Sequence, residues 1–333
     1  MEGYDSREKL MRNLLSIFIL SIGLLELVDA QQVPLYSQYT MNGFLLNPAV
    51  AGSEGYTAIN LTAREQWLGL KNAPKTHAIS GQTRLLKNSY ISKKSAIKRR
   101  PPLGSRSGKV GLGAYVFNDK NGPIDRTGIQ LSYAYHIRMQ RGQLSFGLSG
   151  IAYQFSVDES KIRFEYEDEF WQQAKKSIFI PDANIGIYYS SPSFFAGLSM
   201  SQLFQSALKL GEKGYAEYKM LRYYHLIGGY DYVVNDFFSI EPSILIKTTG
   251  SFKGQADFNT KFIFNDEYWV GLSYRTGGAL IFMGGVRVDK FFFGYAFDYT
   301  LSSIMKHSYG SHEFMVALKF GDSARRYRWL NRY

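Results

Sequence analysis

The sequence predicts an all-β chain, a transmembrane antiparallel β-barrel of about 14 strands with a pre-barrel segment at its amino-terminal end. Three observations carry that prediction. Apolar and polar residues alternate with a period of two from Tyr56 to Phe320, and tight turns recur at every second connection. The 25 Tyr and 24 Phe present far more aromatic surface than an ordinary water-soluble core has to bury.

The chain opens with the pattern of an export signal over residues 1–30. Lys9 and Arg12 precede an apolar run from Leu14 to Leu25, and Val28 and Ala30 supply the small residues that signal peptidase needs before Gln31. A run of about twelve residues is too short to span a bilayer. Met11 is an alternative start, because Met11 to Ala30 is already a complete signal. Removing the signal takes away three basic and five acidic residues, which raises the formal charge from +11 to +13. The chain has no cysteine, which excludes a disulfide framework and thiolate metal sites.

Residues 31–55 read as a pre-barrel, plug-like segment. From Ser37 to Ser53 there is no charge, and neither a helical nor a strand period. Its small and amide groups suit a lumen lined by polar side chains. Tyr36, Tyr39 and Phe44 argue against the alternative of a freely solvated periplasmic leader.

Residues 56–320 form the expected barrel, with strands at 56–65, 76–86, 108–118, 126–139, 142–157, 182–191, 193–201, 221–234, 236–247, 254–264, 266–276, 279–288, 290–300 and 311–320. The clearest alternation sets Phe291, Phe293, Tyr295, Phe297 and Tyr299 against Lys290, Gly294, Ala296 and Asp298, with Phe292 the exception. Two strands depart from the rule: the fifth changes phase between Leu148 and Tyr153, as a bulge would make it, and the ninth contains Pro242, which lacks a ladder donor. Short turns at 140–142, 191–192, 235–236, 265–266 and 289–290 alternate with mostly longer connections, as in barrels with short periplasmic turns and long outer loops. A soluble sandwich or propeller would require a charged solvent coat on the second face of each strand, and those faces carry Gly, Ser and Ala.

No arrangement points to catalysis, a cofactor or a metal. The five histidines (His77, His136, His225, His307 and His312) lack metal-ligand spacing, and His136 falls on a polar, inward-facing row. Ser302, Ser303 and His307 share one outer loop, where such a grouping is ordinary. Gly111-Leu112-Gly113 begins like a nucleotide loop but lies within a strand. The acidic, aromatic stretch from Asp158 to Gln173 suits a partner-binding lid as well as calcium, since the regular calcium-loop spacing is missing.

Two basic elements stand out. Lys87 to Lys109 holds Lys93, Lys94, Lys98, Arg99, Arg100 and Arg106 among its cations with no acid, and the tail 321–333 adds Arg325, Arg326, Arg328 and Arg332. With the amino terminus periplasmic, the first strand runs outward, and both elements fall on the periplasmic side as candidate docking surfaces.

The run "YSQYTMNGFLLNPAVAGSEG" followed by "REQWLGLKNAPKTHAISGQTRL" resembles the amino-terminal signature of the PorP/SprF family of type IX secretion membrane proteins, and "SYGSHEFMVALKF" resembles that family's last strand. The matching residues are Ser37, Gln38, Tyr39, Asn47, Pro48, Ala49, Ala51, Gly52, Arg64, Gln66, Trp67, Gly69, Pro74 and Lys75. The resemblance implies a non-enzymatic outer-membrane component of the type IX secretion and gliding machinery in a Bacteroidota bacterium. Its implied partners are outer-membrane lipid, periplasmic ring or peptidoglycan-associated proteins and a secreted adhesin recognised by its carboxy-terminal domain; nucleic acid is not among them. The basic tail departs from the family pattern by extending past the last strand. The alternative reading is a porin or substrate channel.

Overall fold

The computed structural model describes residues 34–85, 109–158, 177–205, 207–210, 216–250 and 254–320. The signal segment, the basic residues Lys93, Lys94, Lys98, Arg99, Arg100, Arg106, Arg325, Arg326, Arg328 and Arg332, and most of the acidic stretch lie outside them. Among the described residues, no helix is long and apolar enough to cross a membrane.

The strands are β1 (Thr57–Glu65), β2 (Lys75–Leu85), β3 (Val110–Asn121), β4 (Ile124–Met139), β5 (Gly142–Val157), β6 (Ser177–Ser190), β7 (Phe194–Ser201), β8 (Ala207–Leu210), β9 (Ala216–Lys219), β10 (Tyr223–Tyr230), β11 (Tyr232–Asn235), β12 (Phe238–Thr249), β13 (Gly254–Phe264), β14 (Tyr268–Arg275), β15 (Ala279–Val288), β16 (Phe291–Thr300) and β17 (Ser311–Phe320). Each wall strand pairs antiparallel with its neighbour, and β1 pairs with β17, Thr57 opposite Phe320 and Glu65 opposite His312. With β10 and β11 counted as one interrupted strand, this is a closed barrel of 14 strands. Closure leaves no backbone edge unpaired in hydrocarbon, where each orphan group would cost several kcal/mol.

Alternation sets the two faces. On β4, Ile129, Leu131, Tyr133, Tyr135 and Ile137 are exposed on the outer wall, while Gln130, Ser132, Ala134 and His136 are buried inside. β16 repeats the pattern, and its exception has a reason: Phe292 points inward beneath two cations, with the Lys319 ammonium 4.5 Å and the Arg287 guanidinium 5.2 Å from its ring centroid.

Three expectations are corrected. β5 pairs with β4 in unbroken register from Gly142 to Val157, so there is no bulge. Ser145, Ser149, Tyr153 and Phe155 all bury inward; the apparent phase change arises because the lumen itself turns aromatic, with Tyr36, Tyr115 and Phe117 in the same cluster. The eighth strand is broken at Asp231, where pairing with β12 skips from Gly229–Ser243 to Tyr232–Ile240. Pro242 sits in that gap, with no N–H to offer. Finally, the connection from β7 to β10 contains the hairpin β8–β9, which was not anticipated.

The mouth formed by the 140–141, 191–193, 236–237, 265–267 and 289–290 connections is the turn side, and the opposite mouth is the loop side. β2 ends at Leu85, β3 begins at Val110 and β17 ends at Phe320, all on the turn side.

A hydrogen-bonded segment inside the barrel

Residues 34–56 lie within the lumen. Leu35 to Tyr39, Met41, Asn42, Phe44 and Asn47 to Ser53 are all buried. The local fold is two short 3-10 turns, Gly43–Leu45 and Pro48–Val50, the second capped by Asn47, whose Oδ1 accepts from the Ala49 N–H at 2.9 Å. Proline at the first position of that turn fits its fixed φ. Pro34 and Leu35 line a cavity shared with Gln66, Trp67, Gly277 and Thr300, at the loop side, whereas Gly52 reaches Gln82 and Gly111 towards the turn side. The segment therefore descends the barrel before β1 turns back up. The start of β1 is on the turn side, and Pro34 is at the opposite mouth.

At the loop side the segment meets a cluster of buried charges. Arg64 of β1 donates to Asp298 Oδ2 of β16 at 2.7 Å and to Glu313 Oε2 of β17 at 3.1 Å. Arg275 of β14 donates to Asp298 at 3.1 Å and to Asp257 of β13 at 2.8 Å. The Ser37 and Gln38 N–H groups donate to the two Glu313 carboxylate oxygens at 2.7 and 2.9 Å, and Ser37 Oγ donates to Asp298 at 2.8 Å while accepting from Arg64 at 2.8 Å. Arg64 and Glu313 face each other across the β1–β17 seam, so the cluster fastens the two ends of the barrel wall to each other and to the segment. Charges this deep are tolerable because each of the three carboxylates has a guanidinium partner and the N–H and hydroxyl groups of Ser37 and Gln38 add hydrogen bonds to two of them.

Lower down, contact is by shape and neutral hydrogen bonds. Asn47 Nδ2 donates to the Ile187 carbonyl at 3.0 Å, Ser199 Oγ to the Leu46 carbonyl at 2.7 Å, Asn42 Nδ2 to Ser80 Oγ at 2.9 Å and Gln143 Nε2 to the Ser53 carbonyl at 3.2 Å. His136, buried on β4, contacts Ser145 Oγ at 2.8 Å and the Ala51 carbonyl at 3.0 Å. Gly147 and Gly186 face Pro48–Ala49 and Asn47, and a Cβ on either would collide with that backbone or with the Asn47 amide.

Of the sequence-singled residues, Ser37, Gln38, Tyr39, Asn47, Pro48, Ala49 and Gly52 belong to this segment, and Arg64 reaches it from the wall. Gln66, Trp67, Gly69 and Pro74 belong instead to the β1–β2 loop: Gln66 N–H donates to the Pro74 carbonyl at 2.9 Å, and Trp67 and Gly69 adopt positive φ of 49° and 97°. Asp257, Arg275, Asp298 and Glu313 were not singled out as a group. Ser303 and His307 sit exposed in a 3-10 turn. No group of metal-ligating side chains occurs among the described residues.

A closed antiparallel barrel with an apolar exterior and a hydrogen-bonded segment inside is an outer-membrane β-barrel whose lumen is occupied. The family model described as type IX secretion system membrane protein PorP/SprF matches residues 28–318, and the chain belongs to that family. It is thus an outer-membrane component of type IX secretion. No curated protein matches the sequence. Among solved structures, the chain is similar to the KdgM porin (9% identity, TM-score 0.37, covering 79% of this chain and 98% of that one). It is also similar to the TodX deltaS2S3 mutant monoaromatic hydrocarbon channel (9%, 0.38, 84% and 93%) and to the translocator domain of the autotransporter NalP from Neisseria meningitidis (10%, 0.39, 80% and 88%).

Proposed function

We propose that this protein is a non-enzymatic, electrically closed docking barrel of the type IX secretion and gliding machinery in the outer membrane of a Bacteroidota bacterium. It holds periplasmic ring or peptidoglycan-associated components, a secreted adhesin's carboxy-terminal domain, or both. The observation that carries this reading is the occupied lumen: residues 34–56 bond to strands around the wall, which suits a plug better than a conduit. The periplasmic dock is assigned to Lys93, Lys94, Lys98, Arg99, Arg100, Arg106, Arg325, Arg326, Arg328 and Arg332. What supports it is that the wall strands flanking both basic elements end on the turn side, the periplasmic side in barrels of this kind. Two basic elements on one rim repel each other unless an acidic partner lies between them.

The test has two arms. In planar bilayers the full barrel is expected to be silent, and steady single-channel conductance would establish the porin alternative instead. Neutralising Lys98, Arg99, Arg100, Arg325, Arg326 and Arg328 is expected to leave a heat-modifiable barrel while lowering salt-sensitive recovery of periplasmic partners. Undiminished recovery would reduce these charges to a solvated fringe.

A further inference from the structure

Among the described residues, three cavities follow one another beside the inner segment. The uppermost, of about 440 Å³, opens at the loop-side mouth among Gln66, Trp67 and Thr300. Below it a cavity of about 70 Å³ shares Pro34 and Arg126 with the first and lies against Gln130, Tyr153, Asn184 and Gln202. The third, of about 60 Å³, shares Leu46 and His225 with the second and reaches Ser53, Glu54 and Ser190 at the turn side. Each space therefore ends where the next begins.

The two lower cavities are deep, yet their linings are not satisfied. Arg126 Nε, the Tyr153 hydroxyl, Gln202 Oε1 and His225 Nδ1 have no hydrogen-bond partner among the described residues, although all four residues are more than nine-tenths buried. Ser190 Oγ, beside the lowest cavity, has none either. A buried donor or acceptor left unmade is costly, so five of them around two polar spaces mark places that water fills. Spaces of this size hold a few water molecules each. An apolar occupant would leave the same groups unsatisfied, and an ion would have to shed its hydration shell beside a buried guanidinium.

We propose that a file of water runs past the inner segment from the loop-side mouth to the turn side, so that the barrel passes water while it stays closed to ions. Water bridges Arg126, Tyr153, Gln202 and His225 in the middle cavity and His225 and Ser190 in the lower one, with Leu46 and His225 forming the neck between them. Elsewhere the interior is dry: Phe44 and Met315 are buried more deeply still, and each belongs to an apolar cluster. The inference takes the plug from the docking reading and adds an activity to it.

Two glycines supply the test. Gly43 lines the lower cavity, and a Cβ there meets only the Val50 methyl groups at 3.8 Å, an ordinary contact. Gly81 lies on the outer row of β2, where a Cβ meets nothing within 4 Å, and neither residue has a positive φ. Gly43→Leu fills the path, while Gly81→Leu adds the same bulk outside it. Vesicles carrying the full barrel are expected to shrink faster than lipid vesicles in an osmotic stopped-flow measurement, to lose that excess on Gly43→Leu and to keep it on Gly81→Leu. Both variants must retain the heat-modifiable mobility of the folded barrel; if Gly43→Leu does not, His225→Phe, which removes the polar group at the neck, takes its place with the same expected loss. X-ray hydroxyl-radical footprinting reads the water itself: Tyr153 and His225 are expected to be oxidised rapidly despite their burial, and Phe44 and Met315 to be spared. No osmotic excess, an excess that survives the filled cavity, or a Tyr153 as inert as Phe44 would each overturn the proposal and leave the docking reading standing. Steady ion conductance would overturn both, because a path open to hydrated ions is a pore.

Discussion

At its loop-side end the inner segment is held by charge, and at its turn-side end by shape. Ser37 and Gln38 sit among two guanidinium groups and three carboxylates contributed by five different strands. Asn47 to Gly52, by contrast, rest on a floor of small residues and are positioned by amide and carbonyl contacts. The first arrangement is most sensitive to the loss of a guanidinium group, because three buried carboxylates share only two of them. The second depends on the absence of atoms, and is sensitive to additions.

The contrast predicts a ranking. Arg64→Ala leaves Asp298 and Glu313 under-compensated and is expected to cost about 3–5 kcal/mol, read as a lower denaturant midpoint for loss of heat-modifiable mobility. A variant as stable as the parent would show that the cluster does not hold the wall. Leu131→Lys serves as an external yardstick, since this residue is 61% exposed on the outer face of β4. A cation there is expected to cost about 2–4 kcal/mol at the bilayer midplane, measured by folding into vesicles, and a neutral result would reverse the assignment of faces. Gly186→Val pushes against Asn47 and is expected to cost about 1–3 kcal/mol, with faster proteolysis of residues 34–56 as its signature. Asn47→Ala removes hydrogen bonds without adding bulk and is expected to cost about 1 kcal/mol. Should Asn47→Ala prove worse than Gly186→Val, shape would not be what seats the lower half.

The wall was legible because period-two alternation is a local property, and every expected wall strand has its counterpart. The places where that reading slipped are those where a strand's surroundings change along its length. β5 looked bulged because the lumen passes from serine-lined to aromatic, and Pro242 was visible as a lost donor while the gap it leaves at Asp231 depended on the neighbouring strand. The charge cluster was the least legible part. Arg64 belonged to a recognisable motif and Asp298 to a polar row, but Asp257, Arg275 and Glu313 are single charges on separate strands. Only the register of the closed sheet brings them within 3.1 Å of their partners.

The course of the inner segment also constrains the order of assembly. Ser37 and Glu313 are 276 residues apart in sequence, and the wall closes only when the first strand meets the last. Contacts of such separation form late, after a large loss of chain entropy. A segment that enters by one mouth and leaves by the other, with β1 continuing from its lower end, must already lie across the growing sheet when the final hairpin arrives. Since Arg64, Asp298 and Glu313 come from the first strand and the last two, their cluster can form only at that moment. It ties completion of the barrel to correct placement of its contents.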